Sequence, residues 1–334
     1  MTSKNLPGKY GFNMLWMFSK GKNEFPFPVE PAELDFIANE GFNFIRIPMD
    51  YRYWTNDFDY THPREEILER IDRYIMECNI RGLHACLNMH RVPGYCINRP
   101  ETEKHNLWRD REAQDGFVFL WRMFAERYKG ISSARLSFDL VNEPGETQGA
   151  TPERYAKVAK AAIAAIRAED PERFIMSDGW GFGNHPAKGL HPMPHNVGES
   201  IHPYSPHPVT HFGAPFATWL KKTEKCPPWP PEGAVSGRQW FLDNYFAEWE
   251  PVEREGCYLH LGEFGTYFKC PHATALRWTE DLLSIAKEKG LGWAMWNLDG
   301  AFGILDSGRE DCELEDFEGH KLDRAMLNLL LKYK

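Results

Sequence analysis

The chain has 334 residues, of which 42% are hydrophobic and 26% are charged, and its formal net charge is −9 at pH 7. These proportions are ordinary for a globular protein, so they exclude a disordered or fibrous chain and allow a large buried core. The negative charge gives no basic surface for phosphate backbones and no run of about 18 apolar residues occurs, so we expect neither nucleic acid nor a membrane as a partner.

Short apolar segments rich in β-branched and aromatic residues alternate with amphipathic segments of helical period, a pattern typical of βα units. The predicted strands cover residues 10–16, 42–49, 83–90, 134–143, 173–178, 197–204, 257–264 and 292–299. The predicted helices cover residues 31–41, 64–82, 115–130, 152–170, 272–290 and 321–333, with weaker helical patterns near 184–195 and 236–254. Proline or an acidic residue opens most of these helices and glycine closes four, as capping chemistry predicts.

Eight strands with intervening helices predict an α/β fold, a single catalytic (β/α)8 TIM barrel domain over residues 1–334, because no linker or shift in composition divides the chain. Functional residues of such barrels lie at the carboxyl ends of the strands. Polar and aromatic residues suited to chemistry do gather there, and they are Arg46, His90, Asn142, Glu143, His202, Tyr204, Glu263 and Trp296.

Two of these residues carry carboxyl groups. Glu143 ends the fourth predicted strand and Glu263 ends the seventh, so both are expected above one mouth of the barrel. Retaining glycosidases require two carboxyl groups about 5–5.5 Å apart. A single glutamate at a strand end is more often a helix cap or an ion-pair partner, but two of them among polar neighbours favour catalysis.

Six motifs resemble those of glycoside hydrolase family 5, the cellulase family of clan A, in order and spacing over the whole chain. They are FIRIPM at Arg46, LNMHRVPG at His90, LVNEPG at Asn142 and Glu143, IHPY at His202 and Tyr204, LGEFG at Glu263, and MWNLDG at Trp296. The resemblance implies a retaining enzyme with Glu143 as the general acid/base and Glu263 as the nucleophile. It also implies that Glu143 has a raised pKa.

The resemblance implies roles for the other motif residues. Arg46 would hold Glu263 ionised and Tyr204 would add a hydrogen bond to it, His202 would lie beside Glu143, Asn142 would bind the sugar 2-hydroxyl, His90 would bind other hydroxyls, and Trp296 would form the floor under the reacting ring. The implied substrate is a β-linked polysaccharide or oligosaccharide, most directly β-1,4-glucan cut by an endoglucanase. An exo-acting β-glycosidase, a β-mannanase or glucomannanase, and a noncatalytic sugar-binding barrel remain alternatives.

Sugar rings beyond the reacting one are expected to pack on aromatic side chains near the strand-to-helix loops. The candidates are Trp16, Trp54, Trp108, Trp180, Trp229 and Tyr267. Two long loops, residues 205–238 and the acidic residues 300–319, are each positioned to close one end of a cleft. An open cleft predicts endo action, and a blocked cleft predicts trimming of short oligosaccharides.

We expect no metal and no cofactor. Six histidines lie between His185 and His211, but neither an HxH nor an HExxH spacing occurs. The seven cysteines lack CxxC spacing, which is typical of free thiols in a reducing compartment.

Residues 1–10 lack the basic and apolar pattern of a signal peptide, so a cytoplasmic location is expected. No sequence feature specifies an oligomeric state.

Overall fold

The chain folds into the predicted (β/α)8 barrel, here a computed structural model that describes residues 9–21, 23–98 and 100–334. Eight parallel strands pair in chain order, and the eighth pairs with the first to close the sheet. The strands are β1 (Tyr10–Asn13), β2 (Phe44–Asp50), β3 (His84–Arg91), β4 (Leu136–Asp139), β5 (Phe174–Asp178), β6 (Val197–Ile201), β7 (Leu259–Leu261) and β8 (Gly292–Met295). Each observed strand lies inside its predicted segment or extends one residue beyond it.

Helices surround the barrel. Those of the described residues are α1 (Pro31–Asn39), α2 (Glu65–Ile80), α3 (Arg111–Tyr128), α4 (Pro152–Glu169), α5 (Trp180–Gly183), α6 (His207–Thr210), α7 (Gly237–Asn244), α8 (Glu250–Arg254), α9 (His272–Lys289) and α10 (Arg324–Lys332). Short 3-10 turns occur at Tyr51–Tyr53, Pro100–Thr102, Lys188–Leu190 and Phe246–Glu248. Within the described ranges, no helix has the length and apolar character needed to cross a membrane.

The weak helical pattern near residues 184–195 gave a wrong prediction. The chain forms only the four-residue α5, whose two central residues have left-handed backbone angles, and a 3-10 turn at Lys188–Leu190. Pro186, Pro192 and Pro194 explain the failure, because each removes a backbone donor and restricts the residue before it.

The pattern near residues 236–254 produces two helices instead of one. Ser236 caps α7 by accepting a hydrogen bond from the backbone nitrogen of Gln239 at 3.1 Å. Pro251 lies in the first turn of α8, where a missing N–H costs least. A 3-10 turn at Phe246–Glu248 joins the two helices, so this side of the barrel is covered by short segments.

The strands alternate between two hydrophobic layers. Ile45 and Ile47 of β2 belong to the large core between the barrel and its helices. Phe44 packs with Cys86 and Met176 in a separate cluster inside the barrel. Because side chains alternate along a strand, the residues that follow this inner cluster at intervals of two also point inward and rise toward the carboxyl ends of the strands.

The long segment after β8 contains a small antiparallel hairpin, formed by β9 (Glu315–Phe317) and β10 (His320–Leu322). The sequence predicted a loop over residues 300–319, and the hairpin lies partly in it. The carboxylate of Asp306 accepts hydrogen bonds from the backbone nitrogen of Lys321 at 2.7 Å and from Nδ1 of His320 at 2.7 Å. These contacts attach the hairpin to the start of the acidic loop.

The close packing of β1 against β2 at Gly11 predicts how a substitution there changes stability. A Cβ atom added at Gly11 would lie 1.7 Å from the carbonyl oxygen of Phe44. We expect Gly11→Ala to lower the free energy of unfolding by roughly 2–4 kcal/mol, because backbone atoms must separate. Gly130→Ala is the control, since nothing lies within 4 Å of its added Cβ. Urea denaturation measures both variants, and equal stability of the two would contradict the prediction.

Candidate active site

The inward-facing positions meet at Arg46, which is 1% exposed in β2. Its guanidinium donates to Glu263 Oε1 at 2.6 Å, Asp139 Oδ2 at 2.8 Å, Asn13 Oδ1 at 2.9 Å and Asn142 Oδ1 at 2.9 Å. These partners come from β1, β4 and the segments that follow β4 and β7. A rigid planar donor group therefore connects four parts of the barrel and fixes their spacing.

Glu263 follows β7 and is 4% exposed. Its second carboxylate oxygen accepts a hydrogen bond from the Tyr204 hydroxyl at 3.1 Å. Burial raises the pKa of Glu263, Glu143 adds to this rise, and His202 and Arg46 oppose it. Arg46 thus favours the ionised carboxylate as expected from the sequence, although burial has the larger effect on the pKa.

The backbone at Glu143 is held in a left-handed conformation. This residue follows β4 with φ of 50°. Its N–H donates to Asp178 Oδ2 at 2.8 Å, and its carbonyl oxygen accepts from the Tyr95 hydroxyl at 2.6 Å. A non-glycine residue adopts positive φ at some cost, and the two hydrogen bonds offset that cost and fix the direction of the side chain.

The Glu143 carboxyl group has one hydrogen-bonded histidine beside it. Its Oε1 lies 2.9 Å from His202 Nδ1, and its side chain is 14% exposed. Burial raises the pKa of Glu143 to about 7, while Arg46 and Asn142 act in the opposite direction. Burial also lowers the pKa of His202 to about 4, so this histidine is neutral near pH 7. Glu143 can therefore hold a proton under conditions in which most glutamates are ionised.

The two carboxyl groups face each other across a short gap. One oxygen of Glu143, one oxygen of Glu263 and a ring nitrogen of His202 all lie within 4.8 Å of one another. The gap matches the roughly 5 Å separation of retaining glycosidases. The same three atoms could surround a divalent cation, but Arg46 and Tyr204 already donate to Glu263. The residues present explain the charge of Glu263 without an ion.

Aromatic rings form a wall beside the carboxyl pair. Trp296, which is half-buried, stacks on His90 with ring centroids 5.6 Å apart. Phe18 meets both rings edge to face, at 4.7 Å from His90 and 5.3 Å from Trp296. His90 is 4% exposed, and its Nδ1 has no hydrogen-bond partner among the described residues. This nitrogen is a buried polar atom that the described part of the protein does not satisfy.

The structure thus brings the eight strand-end residues of the sequence prediction into one place. One hydrogen-bonded group contains Arg46, Tyr204 and Glu263, and a second contains Glu143 and His202. Asn142 links the first group to His90, because its side chain also lies 3.5 Å from His90 Nε2. Trp296 reaches the site through its stacking on His90.

Three of the tryptophans predicted to bind sugar rings lie in the core. Trp54, Trp108 and Trp229 are 0%, 3% and 3% exposed, and Trp229 donates from Nε1 to Asp281 at 2.9 Å. Tyr267, at 9% exposed, is packed against Phe302. Their loops fold back over the barrel, which position along the chain does not reveal, and the prediction was wrong for the three tryptophans.

Trp16 and Trp180 lie closer to accessible space. Trp16 is 5% exposed and stacks on Tyr74 at 4.9 Å, and it lines a cavity of about 320 Å³ with Glu33 and Asp299. Trp180 is half-buried and stacks on Tyr155 at 6.3 Å. Each tryptophan therefore has one face occupied, and the predicted sugar contacts of both stay predictions.

Sequence reasoning missed three residues that organise the site. Asp139 and Asn13 bind Arg46 directly, and Asp178 lies 3.9 Å from Arg46 and 3.5 Å from His202. Each is the last residue of its strand, which is the position rule that identified the others. Asp139 stands inside its predicted strand beside apolar residues and so resembled a structural position, whereas Asp178 ends its predicted strand and could have been found by the position rule.

The long loop at 205–238 places an aromatic row beside the carboxyl pair. The rings of Tyr204, His211 and Phe302 contact one another, with centroids 5.2–6.2 Å apart. The His211 ring also contacts Trp219, with centroids 6.1 Å apart. Phe216 and Trp219 are 52% and 64% exposed. The row runs from a buried hydrogen-bond donor of Glu263 to exposed rings at the rim. The sequence analysis identified the loop but not these two rings.

Comparison with known proteins gives a consistent assignment. The family model described as Cellulase (glycosyl hydrolase family 5) matches residues 9–302. Endoglucanase C of Acetivibrio thermocellus is 25% identical over 339 residues, covering 94% of each chain. Cellodextrinase A of Ruminococcus flavefaciens is 25% identical over 79% of this chain and 76% of its own. A crystal structure described as a glycoside hydrolase is 43% identical, with a TM-score of 0.90, covering 98% of this chain and 99% of the other.

The raised pKa of Glu143 predicts a pH dependence of stability. Its ordinary value is 4.5 and its folded value is about 7, so the folded state binds more protons than the unfolded state between these values. The stability contribution is therefore full below about pH 4.5 and is lost as the pH rises through about 7. We expect Glu143→Gln to be more stable than the wild type at about pH 8 by about 2–3 kcal/mol.

The difference between the two proteins should shrink toward zero near pH 4.5, and urea denaturation across this range measures it. Glu126→Gln is the control, because Glu126 is exposed on α3. It should follow the wild-type curve. A constant difference between Glu143→Gln and the wild type at all pH values would contradict the prediction.

Proposed function

The chain belongs to glycosyl hydrolase family 5, and we propose that it is a retaining endo-β-1,4-glucanase with Glu263 as nucleophile and Glu143 as general acid/base. One observation carries the proposal. Two carboxyl groups have oxygens within 4.8 Å of each other but different neighbours. Glu263 accepts hydrogen bonds from Arg46 and Tyr204, whereas burial raises the pKa of Glu143 to about 7.

The first step uses this asymmetry. Two donors favour the ionised form of Glu263, so a single proton shared by the pair resides on Glu143. The Glu263 carboxylate attacks the anomeric carbon while the bond from that carbon to the glycosidic oxygen breaks. Glu143 gives its proton to the departing oxygen. The product is a glycosyl ester of Glu263 and a shortened chain with a new hydroxyl group.

The second step reverses the roles. Glu143, now ionised, takes a proton from water while the water oxygen attacks the anomeric carbon. The ester bond to Glu263 breaks and the carboxylate returns to its hydrogen bonds with Arg46 and Tyr204. Two inversions at the same carbon retain the β configuration. Neutral His202 beside Glu143 helps by accepting or donating a hydrogen bond in either protonation state of the acid.

The remaining site residues bind the sugar. Asn142 would donate from its amide nitrogen to the 2-hydroxyl, because its oxygen is already bonded to Arg46. His90, which stacks on Trp296, would bind other hydroxyl groups of that sugar. Trp296 would cover the apolar face of the reacting ring.

Action within a polymer is supported by binding space at two separate places on the rim. The aromatic row from Tyr204 to exposed Trp219 lies on the β6 side. The 320 Å³ cavity lined by Trp16 and Glu33 lies on the β1 side. Rings on both sides of the reacting sugar suit a chain that continues in both directions. The likeness to Endoglucanase C supports the same substrate class.

Trimming of short oligosaccharides is the second candidate, favoured by the likeness to Cellodextrinase A. In that case dimers or single sugars would be released from chain ends, by the same two carboxyl groups. A β-mannanase or glucomannanase would use the same chemistry with a different sugar at the rim.

Hydrolysis of β-glucan, glucomannan, mannan and cello-oligosaccharides tests the proposal. We expect mid-chain cleavage of β-glucan with retention of the β anomer, followed by NMR, and no loss of activity with a chelator. Glu143→Gln should lower kcat by about 10²–10⁴-fold, and Glu263→Gln by on the order of 10⁴-fold or more. Glu126→Gln should be fully active, because Glu126 is exposed on α3.

An aryl β-cellobioside with a strongly acidic leaving group separates the two roles. Its departure needs no proton, so Glu143→Gln should release the aryl group rapidly in a burst and Glu263→Gln should not. Release of end units alone would shift the proposal to the oligosaccharide-trimming candidate. Full activity of Glu263→Gln, or loss of activity with a chelator under conditions in which the protein stays folded, would refute the mechanism.

The pH profile of kcat/KM on β-glucan tests the protonation state of Glu143. Activity requires protonated Glu143, whose pKa is about 7 in the free protein. We therefore expect kcat/KM to fall as the pH rises through about 7, by tenfold per pH unit at the alkaline side. The aryl substrate should lose much of this alkaline decline. A profile that is flat between about pH 6 and 9 on β-glucan would contradict the assignment.

A further inference from the structure

The geometry points to a zinc site formed by His272, Cys312 and Asp323, separate from the carboxyl pair. His272 begins α9, Cys312 lies in the segment between β8 and β9, and Asp323 precedes α10. One nitrogen, one sulfur and one oxygen atom from these residues all lie within 4.8 Å of one another. Three elements that are distant in sequence thus place three different kinds of metal ligand together.

The three ligand atoms lie close enough for small shifts to place them around one tetrahedral ion. His272 Nε2 already lies 2.8 Å from Asp323 Oδ2. Zinc binds nitrogen, oxygen and sulfur at about 2.0–2.3 Å, which separates neighbouring ligand atoms by about 3.3–3.8 Å. Closing the set around an ion therefore requires shifts of about 1 Å, and water can fill the fourth position.

The ligands are oriented by their own hydrogen bonds. Asp323 is 1% exposed, and its other oxygen, Oδ1, accepts from the Met326 backbone nitrogen at 2.9 Å. The His272 backbone nitrogen donates to Asp311 Oδ2 at 2.7 Å. The His272 side chain is 11% exposed and Cys312 is half-buried. The site is thus partly shielded from water yet open to an entering ion.

Charge also favours a divalent cation. Once an ion displaces the thiol proton, the thiolate and the carboxylate bring two negative charges, which one divalent ion neutralises. The surrounding segment is strongly acidic and attracts cations. Its carboxylates are Glu310, Asp311, Glu313, Glu315, Asp316 and Glu318.

The mixed ligand set selects among ions. Calcium and magnesium require oxygen ligands, so a thiol and an imidazole disfavour them. Nitrogen, sulfur and oxygen together suit zinc. The site would connect the segments that leave β7 and β8, which also carry Tyr267 and Phe302 of the rim. Its effect is on stability, because no ligand contacts the carboxyl pair.

Cobalt binding to the metal-free full chain tests the site, because a thiolate bound to cobalt gives a near-ultraviolet charge-transfer band. We expect one cobalt ion per chain with this band, displaced by zinc, and a rise in Tm of about 2–5 °C at saturating zinc. Cys312→Ala should lose the band and bind zinc at least about tenfold more weakly. Asp323→Asn, which keeps an oxygen for capping Met326, should weaken zinc binding while folding normally.

Cys257→Ala is the matched control, because Cys257 is also half-buried but precedes β7 at the amino end of the barrel. It should keep the band and the zinc affinity. A wild-type protein that shows no thiolate band would overturn the proposal. Any cobalt bound in that case would lie at sulfur-free groups such as Glu143 with His202 and Glu263. A band that persists in Cys312→Ala would overturn it as well. Neither readout depends on hydrolysis.

Discussion

The arrangement of the site depends on the burial of one guanidinium group inside the barrel. Arg46 is fully desolvated, and such a charge is tolerated only when its donors are paired. It donates to Glu263, Asp139, Asn13 and Asn142 at 2.6–2.9 Å. Removing it would leave buried carboxylates without a counter-charge, which is more costly than losing the hydrogen bonds alone. The same contacts that balance charge therefore set the position of Glu263, the proposed nucleophile.

The two carboxyl groups differ because their neighbours differ, although both are buried. Glu263 receives hydrogen bonds from a cation and a phenol. Glu143 lies beside a neutral histidine, whose pKa burial lowers to about 4. Glu143 is also held at φ of 50° by Asp178 and Tyr95. Strain and desolvation are thus concentrated at the proposed general acid, where they reduce stability and favour the protonated carboxyl group.

The loops at the rim of the barrel contribute differently to the site from the strands inside it. The inner positions are rigid, since the strands and Arg46 fix them. The loops after β6 and β8 carry the exposed rings Phe216 and Trp219 and the packed ring Phe302. The segment after β8 is attached by the hairpin and by the group at His272 and Asp323. In the proposed function, the loops would decide substrate length and sugar preference, whereas the carboxyl pair in the barrel would break the bond.

The sequence by itself determined the eight strands, the long amphipathic helices and the residues that converge at the strand ends. Strand alternation and helical period are local properties, and parallel strands must end together, so Glu143 and Glu263 could be placed at one mouth before any coordinates. Tertiary structure alone decided how deeply each side chain is buried. Trp54, Trp108 and Trp229 lie in loops along the sequence but are buried by segments far away in the chain.

Dependence on tertiary contacts also explains why some site residues were missed in the sequence. Asp139 and Asp178 gain their importance from Arg46 and from the Glu143 backbone, which are contacts between strands that sequence periodicity does not encode. The wrong helix near residues 184–195 has a different, local cause, because the prolines in that segment disfavour a helix whatever packs on it. Local patterns fix which elements form. Burial, charge pairing and pKa arise only when distant segments exclude water together.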